Sequence, residues 1–351
     1  MRLRPMHLRP PALIAALILL FLLAYTAWWA SAAWALRQGV EAWAADQRAQ
    51  GAVVSWADLA IAGFPLELAA ELRDLDWQAP GGGTAGPVVA TAARVSAAAD
   101  AWNPWTVRIT AVEKPSLTVP AIGRIYTAAT ATGEVRLDAG GLRAGQVAFQ
   151  TVRAGPPGNA EELTAQTVQF LLTRPAAPPA AHTDPLGTAG VAISGLTLQR
   201  APDPPLGDVL GPTIAQLALT GTVKGALPTL TPPDLRAWSE AGGTLELTGL
   251  ALDWGQVSLR GEGTMALDSA LQPQLAGTIQ AGGIQPLLDA LAAMGLIRPQ
   301  LADQLRPVVT LLSQPREDGV RRAALPITIQ DSRLNLGPAP ITRLPRIDWG
   351  G

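Results

Sequence analysis

Hydrophobic residues follow two patterns along the chain: one long run near the N-terminus, and many short alternating segments after it. The 25 residues from Ala12 to Leu36 carry no charged side chain. At 1.5 Å per residue, a helix of this length extends about 37 Å, and the hydrocarbon core of a bilayer is roughly 30 Å thick. The run therefore predicts a single transmembrane helix over residues 12–36.

The charges around this helix predict its orientation. Three arginines lie among residues 1–11 without an acidic residue, whereas Arg37 and Arg48 on the other side are offset by nearby acids. Lys and Arg accumulate on the cytoplasmic side of a membrane. Residues 1–11 are therefore expected to form a cytoplasmic tail, with the bulk of the chain across the membrane.

The alternative to an anchor is a cleaved signal peptide, for which Ala30–Ser31–Ala32 offers small residues at a cleavage point. A signal peptide has a shorter apolar stretch, of about 7–15 residues. The length of the run favours an uncleaved anchor, as do Trp28, Trp29 and Trp34 at its exit, which suit an aromatic belt at the membrane surface.

Helical spacing continues beyond the run. Leu36, Val40, Trp43 and Gln47 fall at i, i+4, i+7 and i+11, and Gly51 suits the position after a helix end. This spacing predicts a juxtamembrane helix over residues 37–51.

From Ala52 onward the hydrophobic period changes to two. In one such segment, Phe64, Leu66 and Leu68 share a face, while Glu67 and Glu71 lie on the other. Turns rich in Gly and Pro, such as Pro80–Gly83, separate the segments. The predicted strands are 53–61, 64–72, 88–98, 105–112, 125–137, 144–153, 164–173, 191–200, 213–223, 244–253, 256–268, 274–281 and 324–336.

Many short strands without long helices between them are typical of a mainly β protein. We expect an extended antiparallel β-sheet, as a curved groove or a sandwich. Two helical segments interrupt it: residues 232–241, with Thr231 at the N-cap position, and a helical hairpin at 284–314 that covers part of the sheet. The alternation changes phase across Gly249, which predicts a β-bulge or bend.

The β part divides in sequence at a Pro- and Ala-rich stretch without periodicity, residues 174–190. This stretch is either a linker between a first β region (52–173) and a second one (191–351), or a loop inserted in one continuous sheet. The sequence leaves both arrangements open.

Composition and charge exclude several functions. The 35 glycines and 31 prolines among 351 residues argue against a helical bundle. A net charge of −2, with no basic block outside the N-terminus, argues against nucleic acid as a partner. Cysteine is absent, which excludes disulfides, Fe–S clusters, cysteine zinc sites and thiol nucleophiles. Only His7 and His182 are present, so most histidine-based catalysis and metal binding is hard to build. We expect no catalytic residue, no cofactor and no metal, in a protein that is not an enzyme.

The remaining polar and aromatic residues have ordinary structural interpretations. Glu67–Glu71, Asp74–Asp76 and Glu317–Asp318 are expected to be solvated, as is His182 in the Pro- and Ala-rich stretch. The tryptophans after the membrane segment are expected to pack in the core or near the membrane rather than to contact lipid headgroups. They are Trp43, Trp56, Trp77, Trp102 and Trp105.

The alternating apolar face has two interpretations. One is the closed core of a β-sandwich, and the other is a curved sheet whose apolar face stays partly open and holds acyl chains. Periodicity does not separate them. If the face is open, its lipid-facing wall is predicted to include Leu245, Leu247, Leu259 and Leu267.

Two stretches resemble known families. The first combines the apolar segment with Trp43–Gly51 and the strand start Gly63–Leu66, and it resembles an uncharacterised family of membrane-anchored proteins of Gram-negative bacteria, a domain of unknown function. The second extends from Gly243 to about Asp348 and looks like the C-terminal region of AsmA-like envelope proteins. Its matching segments are Gly261–Leu267, Leu287–Leu296, Leu325–Ile327, Leu334–Pro338 and Leu344–Pro345.

The resemblance implies an anchor in the cytoplasmic (inner) membrane and a periplasmic β-rich domain. AsmA-like proteins are associated with outer-membrane biogenesis and phospholipid transport, and they form extended β grooves. Phospholipid acyl chains and other envelope proteins are therefore the implied partners. Residues 37–351 are too few to bridge a periplasm, so we expect lipid binding or a role in envelope assembly. The alternative is a non-catalytic envelope scaffold that binds proteins and no lipid.

Overall fold

A computed structural model describes residues 10–79, 86–158, 161–315, 321–337 and 339–349. Most of the predicted tail 1–11, including His7, lies outside these residues, as do the predicted turn Pro80–Gly83 and the acidic pair Glu317–Asp318. By their contacts the residues divide into two units, Met1–Ala121 (unit 1) and Ile122–Gly351 (unit 2).

The described residues form five α-helices and nineteen β-strands, and neighbouring strands pair antiparallel, as β3 with β4, β10 with β11 and β12 with β13 do. This confirms the mainly β fold. The helices are α1 (Pro10–Ala49), α2 (Leu206–Leu210), α3 (Pro232–Glu240), α4 (Ile284–Ala293) and α5 (Pro299–Leu312). The strands of unit 1 are β1 (Val53–Ser55), β2 (Asp58–Ala62), β3 (Glu67–Gln78), β4 (Val89–Asp100), β5 (Asn103–Val112) and β6 (Ser116–Val119).

The strands of unit 2 follow those of unit 1 along the chain. They are β7 (Arg124–Thr127), β8 (Thr130–Asp138), β9 (Gly141–Gly155), β10 (Leu163–Thr173), β11 (Pro185–Leu198), β12 (Thr213–Lys224), β13 (Thr244–Trp254), β14 (Val257–Leu267), β15 (Pro273–Gly282), β16 (Ser313–Pro315), β17 (Arg321–Gln330), β18 (Arg333–Leu336) and β19 (Ala339–Arg343).

In unit 1 the sheet is built around two long central strands. Strand β3 pairs with β1 and β2 on one edge and with β4 on the other, and β4 then pairs with β5 and β6. Helix α1 contacts β1, β2 and β3. Unit 1 is thus a small sheet with one long helix along it.

Helix α1 is one continuous element, where the sequence predicted a transmembrane helix at 12–36 and a separate juxtamembrane helix at 37–51. No residue in between breaks the helix, because the charges that begin at Arg37 change only the polarity of the surface. The predicted end is confirmed: Gly51 has a φ of 90°, and the Ala52 N–H donates to the Gln47 carbonyl at 3.0 Å.

In unit 2, strands β8 to β15 pair in sequence order, and β17, β18 and β19 continue the sheet beyond β15. Residues 174–184 join β10 to β11, which are paired directly, with Thr173 opposite Thr188. The Pro- and Ala-rich stretch is therefore a loop within one sheet, and the second of the two arrangements left open holds.

Each predicted strand overlaps an observed one, but three predicted strands, 53–61, 125–137 and 324–336, each divide into two. The predicted helices at 232–241 and 284–314 are present as α3 and as the pair α4–α5. Thr231 occupies the N-cap position of α3, although its side chain makes no capping hydrogen bond. The predicted bulge is also confirmed, since the β13–β14 register shifts between Leu247 and Leu250.

Candidate functional site

One face of the sheet in unit 2 is apolar from strand to strand. Residues directly opposite each other in an antiparallel pair lie on the same face, so the register identifies its members. Across β9 to β13, Phe149 faces Val168, Phe170 faces Val191, Ile193 faces Leu217, and Leu219 faces Leu250. The apolar face comprises Val147, Phe149, Val168, Phe170, Leu172, Val191, Ile193, Leu217, Leu219, Leu245, Leu247, Leu250 and Leu252.

The opposite face of the same strands is polar. It carries a row of Thr, Ser and Gln side chains, with cross-strand hydrogen bonds such as Thr188 to Thr222 (2.8 Å). Ion pairs lie on this face as well, including Lys224 with Glu246 (2.6 Å) and Arg260 with Asp253 (2.8 Å). The two faces therefore differ in chemistry along the whole of β9–β14.

Part of the apolar side is covered by the helical pair. Ala281, Leu288, Ala302, Val309, Ala323 and Leu325 form a buried cluster between α4, α5 and the strands β15 and β17. The predicted hairpin thus covers one end of the sheet, as the sequence indicated.

Over the earlier strands the apolar side chains stay partly exposed. Phe170 is 47% exposed, Leu172 44% and Leu219 39%. The Phe149 and Phe170 rings meet edge to face with centroids 6.2 Å apart. An apolar surface that runs over several strands and keeps this exposure is unusual for a monomeric protein and marks an interaction surface or a ligand groove.

The four predicted wall residues do not share one environment. Leu245 and Leu247 lie on the apolar face of β13, where their side chains flank Gly221. Leu267, at the end of β14, is half-buried and pairs with Pro273. Leu259 packs against the helix-covered cluster. At Leu259 the sheet face is therefore a packed core, whereas Leu245 and Leu247 belong to the partly exposed surface.

Unit 1 contains a second apolar surface, a cleft of about 450 Å³ between α1 and the sheet. Helix α1 contacts the sheet near Trp29 and near Gln47, and between them the Arg37 guanidinium donates to the Leu59 carbonyl at 3.5 Å. Beside these contacts the helix leaves a gap. All the residues that line the gap are apolar: Ala35, Leu36, Gly39, Val40, Trp43, Ala70, Leu72, Val95 and Ala97. Its volume falls within the roughly 300–1,000 Å³ of ordinary ligand pockets.

The polar candidates behave mostly as predicted. His182 is exposed, and Glu67 is part of an ion pair with Arg108 at 2.7 Å. Among the residues that the structure describes, no group of three or more His, Cys, Asp or Glu side chains suits a metal ion.

The tryptophans divide into two groups. Trp56 and Trp77 pack against the buried cluster of Ala44, Ala52 and Val54, as expected. Trp102 and Trp105 are mostly exposed, so packing in the core, one of the two placements expected for them, is wrong. Trp102 lies in the turn between β4 and β5, and Trp105 lies near the start of β5. Trp43 is also exposed, at 44%, and lines the cleft beside α1.

A family model described as an uncharacterized protein conserved in bacteria (DUF2125) matches residues 29–345. The chain belongs to this family. The match begins at Trp29, so the DUF2125 region takes in the strands of both units and the half of α1 that packs on unit 1. No characterised protein and no solved structure matches the chain.

Proposed function

We propose that the protein is a non-enzymatic lipid-binding protein of the cell envelope, of AsmA-like type, which holds phospholipid acyl chains on the apolar face of unit 2. Helix α1 would anchor it in the cytoplasmic membrane, with both units in the periplasm. Helix α1 is long and apolar enough to cross a bilayer, and its apolar window has no part buried in the protein.

The observation that carries this proposal is the exposure of the apolar face over β9–β13. Aliphatic side chains alternate there with small residues such as Gly221, Gly145 and Ala189. Transfer of one methylene from water to such a surface contributes about 0.8 kcal/mol, so ten methylenes contribute about 8 kcal/mol before the cost of ordering the chain.

The lining favours an acyl chain over a protein partner. Protein interfaces obtain most of their binding energy from a few Trp, Tyr and Arg side chains. The apolar face consists instead of Val, Leu, Ile and Phe, and it lacks hydrogen-bonding groups that would orient a polypeptide. A lipid tail binds through apolar contact area and needs no directed polar contact.

Contacts of α1 support an uncleaved anchor. The Tyr25 hydroxyl donates to the Pro65 carbonyl, and the Trp29 indole N–H donates to the Glu67 carbonyl at 2.9 Å. Cleavage at Ala30–Ala32 would remove both residues from the folded unit. Retention of the helix keeps the lipid-binding surface at the membrane that supplies the lipid.

Site-specific photo-crosslinking in cells tests the proposal on the full chain. A photoreactive benzoylphenylalanine would replace Phe170, which lies on the apolar face, and in a matched variant Gln169, the adjacent exposed residue on the polar face of the same strand. Cells grown with radioactive phosphate would be irradiated and the protein purified under denaturing conditions.

Radioactive phospholipid attached at position 170 and not at 169 is the expected result. Attachment of proteins alone at position 170 would overturn lipid binding in favour of the scaffold alternative. Equal labelling at both positions would show that contact with lipid is unspecific, and would equally contradict the proposal.

A further inference from the structure

The end of the unit 1 sheet next to α1 carries a cluster of exposed apolar side chains. They belong to the turn before β3, to the turn between β4 and β5, and to the start of β5. Phe64 is 53% exposed, Leu66 60% and Trp102 70%, and Trp105, near the start of β5, is 55% exposed. The Ala101 N–H donates to the Leu66 carbonyl at 2.9 Å and joins the two turns. We call Phe64, Leu66, Trp102 and Trp105 the apolar tip.

The apolar tip lies level with the end of the membrane-spanning part of α1. A hydrocarbon core of roughly 30 Å requires about 20 helical residues. Counted from Ala12, where the uncharged run begins, these residues reach Ser31, within one helical turn of Trp29. Phe64 packs against this part of the helix, with its ring centroid 5.3 Å from that of Trp29 and 6.5 Å from that of Tyr25.

The charge pattern around the tip changes abruptly. Residues 63–66 and 101–106 contain no charged side chain. Immediately behind them, Arg108 pairs with Glu67 at 2.7 Å and with Asp100 at 2.8 Å. The hydrogen bond from Arg108 lowers the pKa of Asp100 below its usual value, so this carboxylate stays charged at neutral pH and belongs in water.

A layer of exposed Trp, Phe and Leu in front of a layer of charges matches the boundary of a bilayer. Indole rings favour the headgroup region, where one side is apolar and the other is wet. Backbone without hydrogen-bond partners does not enter hydrocarbon. Aromatic side chains at the headgroup level can contact lipid while the backbone that carries them stays in the wet interface.

We propose that the apolar tip inserts into the same lipid bilayer that α1 spans, so that unit 1 is seated on the membrane surface. The occupant is lipid rather than a protein because the tip is continuous with the apolar surface of α1, whose residues from Ile14 to Leu23 are exposed on every side. This inference rests on α1 as a membrane span, and it does not depend on acyl-chain binding in unit 2.

Fluorescent labels at single cysteines test the insertion, and the absence of native cysteine makes each label unique. The full chain would carry Trp102→Cys, or Gln50→Cys as the matched control. Gln50 is exposed just past the end of α1, about 30 Å along the helix from the span. Each variant would be labelled with an environment-sensitive nitrobenzoxadiazole dye and reconstituted in phosphatidylethanolamine–phosphatidylglycerol vesicles, with or without spin-labelled lipid.

We expect spin-labelled lipid to quench the dye at position 102 and leave the dye at position 50 bright. A second label at Leu66→Cys should be quenched like the first. Circular dichroism would verify that each variant is folded, which the exposure of these side chains leads us to expect. Fluorescence at 102 and 66 that resembles the control at 50, in folded protein, would overturn the proposal, whatever the crosslinking at Phe170 shows.

Discussion

At the scale of single residues, the environment of Leu259 separates packing from ligand contact. Its alternation with Val257 and Gly261 correctly predicted that it lies on the apolar face of a strand. The sequence could not reveal that α4 and α5 cover this particular end of the face, since that depends on where a helical pair 25 residues away folds back. Leu245 and Leu247 show the same alternation in sequence, but their side chains lie on the partly exposed surface.

This difference leads to a prediction for aspartate substitutions. Leu259→Asp would place a carboxylate against the helix-covered cluster, and we expect it to destabilise the protein by about 3 kcal/mol. Leu219→Asp, on the same sheet face but 39% exposed, is expected to cost much less. Thermal unfolding of the full chain in micelles, followed by circular dichroism, compares the two variants. Equal losses of stability would contradict the division of the face into covered and uncovered parts.

Residues at turns were the least predictable. Trp102 and Trp105 are residue types that usually pack in a core, but Trp102 lies in a turn and Trp105 near the start of β5, and both are exposed there. The turn within the predicted strand 324–336 was missed for another reason: Asp331 and Ser332 both adopt positive φ (51° and 57°) without a glycine to signal it.

At the scale of elements, the periods of 3.6 and 2 identified helices and strands well. These periods could not predict how closely neighbouring elements pack against each other. The cleft beside α1 is an example. The helix has a regular apolar stripe, but the cleft lies between two contacts of the helix with the sheet. One joins Trp29 to the Glu67 carbonyl, and the other joins Gln47 to the indole of Trp77 at 3.4 Å.

The cleft predicts the effect of substitutions at Gly39. A Cβ atom at this position would have no other atom within 4 Å, so there is room for a side chain. Gly39→Ala is expected to stabilise the helix by about 1 kcal/mol through helix propensity alone. Gly39→Leu should also bury an apolar side chain in the cleft, so we expect it to stabilise the protein more than Gly39→Ala does. The two midpoints of thermal unfolding test this, and a leucine variant no more stable than the alanine variant would show that the cleft does not accept a side chain.

At the scale of the whole molecule, the sequence predicted the fold class and the apolar N-terminal segment, and it left open whether residues 174–190 separate two β regions. The division by contacts falls at residues 121 and 122. Nothing in local composition marks that point, because it results from which strands pair. The Pro- and Ala-rich stretch looked like a boundary and is a hairpin loop between β10 and β11.

The orientation of the chain across the membrane is a prediction at the scale of the whole molecule. Because the arginines cluster before the span, the N-terminus should be cytoplasmic and His182, in unit 2, should be outside the cytoplasmic membrane. Single-cysteine variants His7→Cys and His182→Cys, in a chain without native cysteine, can be treated in spheroplasts with a membrane-impermeant maleimide.

We expect labelling at position 182 in intact spheroplasts, and at position 7 only after lysis. The reverse pattern would invert the topology and remove the periplasmic placement from the proposed function.

The unbroken helix from Pro10 to Ala49 has a mechanical consequence. Its second half is fixed to the unit 1 sheet near both of its ends, so this unit and the span move as one stiff arm. Membrane helices tilt to match the thickness of the surrounding bilayer. A change in tilt of about 10° would swing the far end of the arm, roughly 30 Å from the span, by about 5 Å. With α1 as the proposed membrane span, thinning or thickening of the bilayer would displace the unit 1 sheet, and the local lipid composition would set the position of the sheet edge that lies farthest from the membrane.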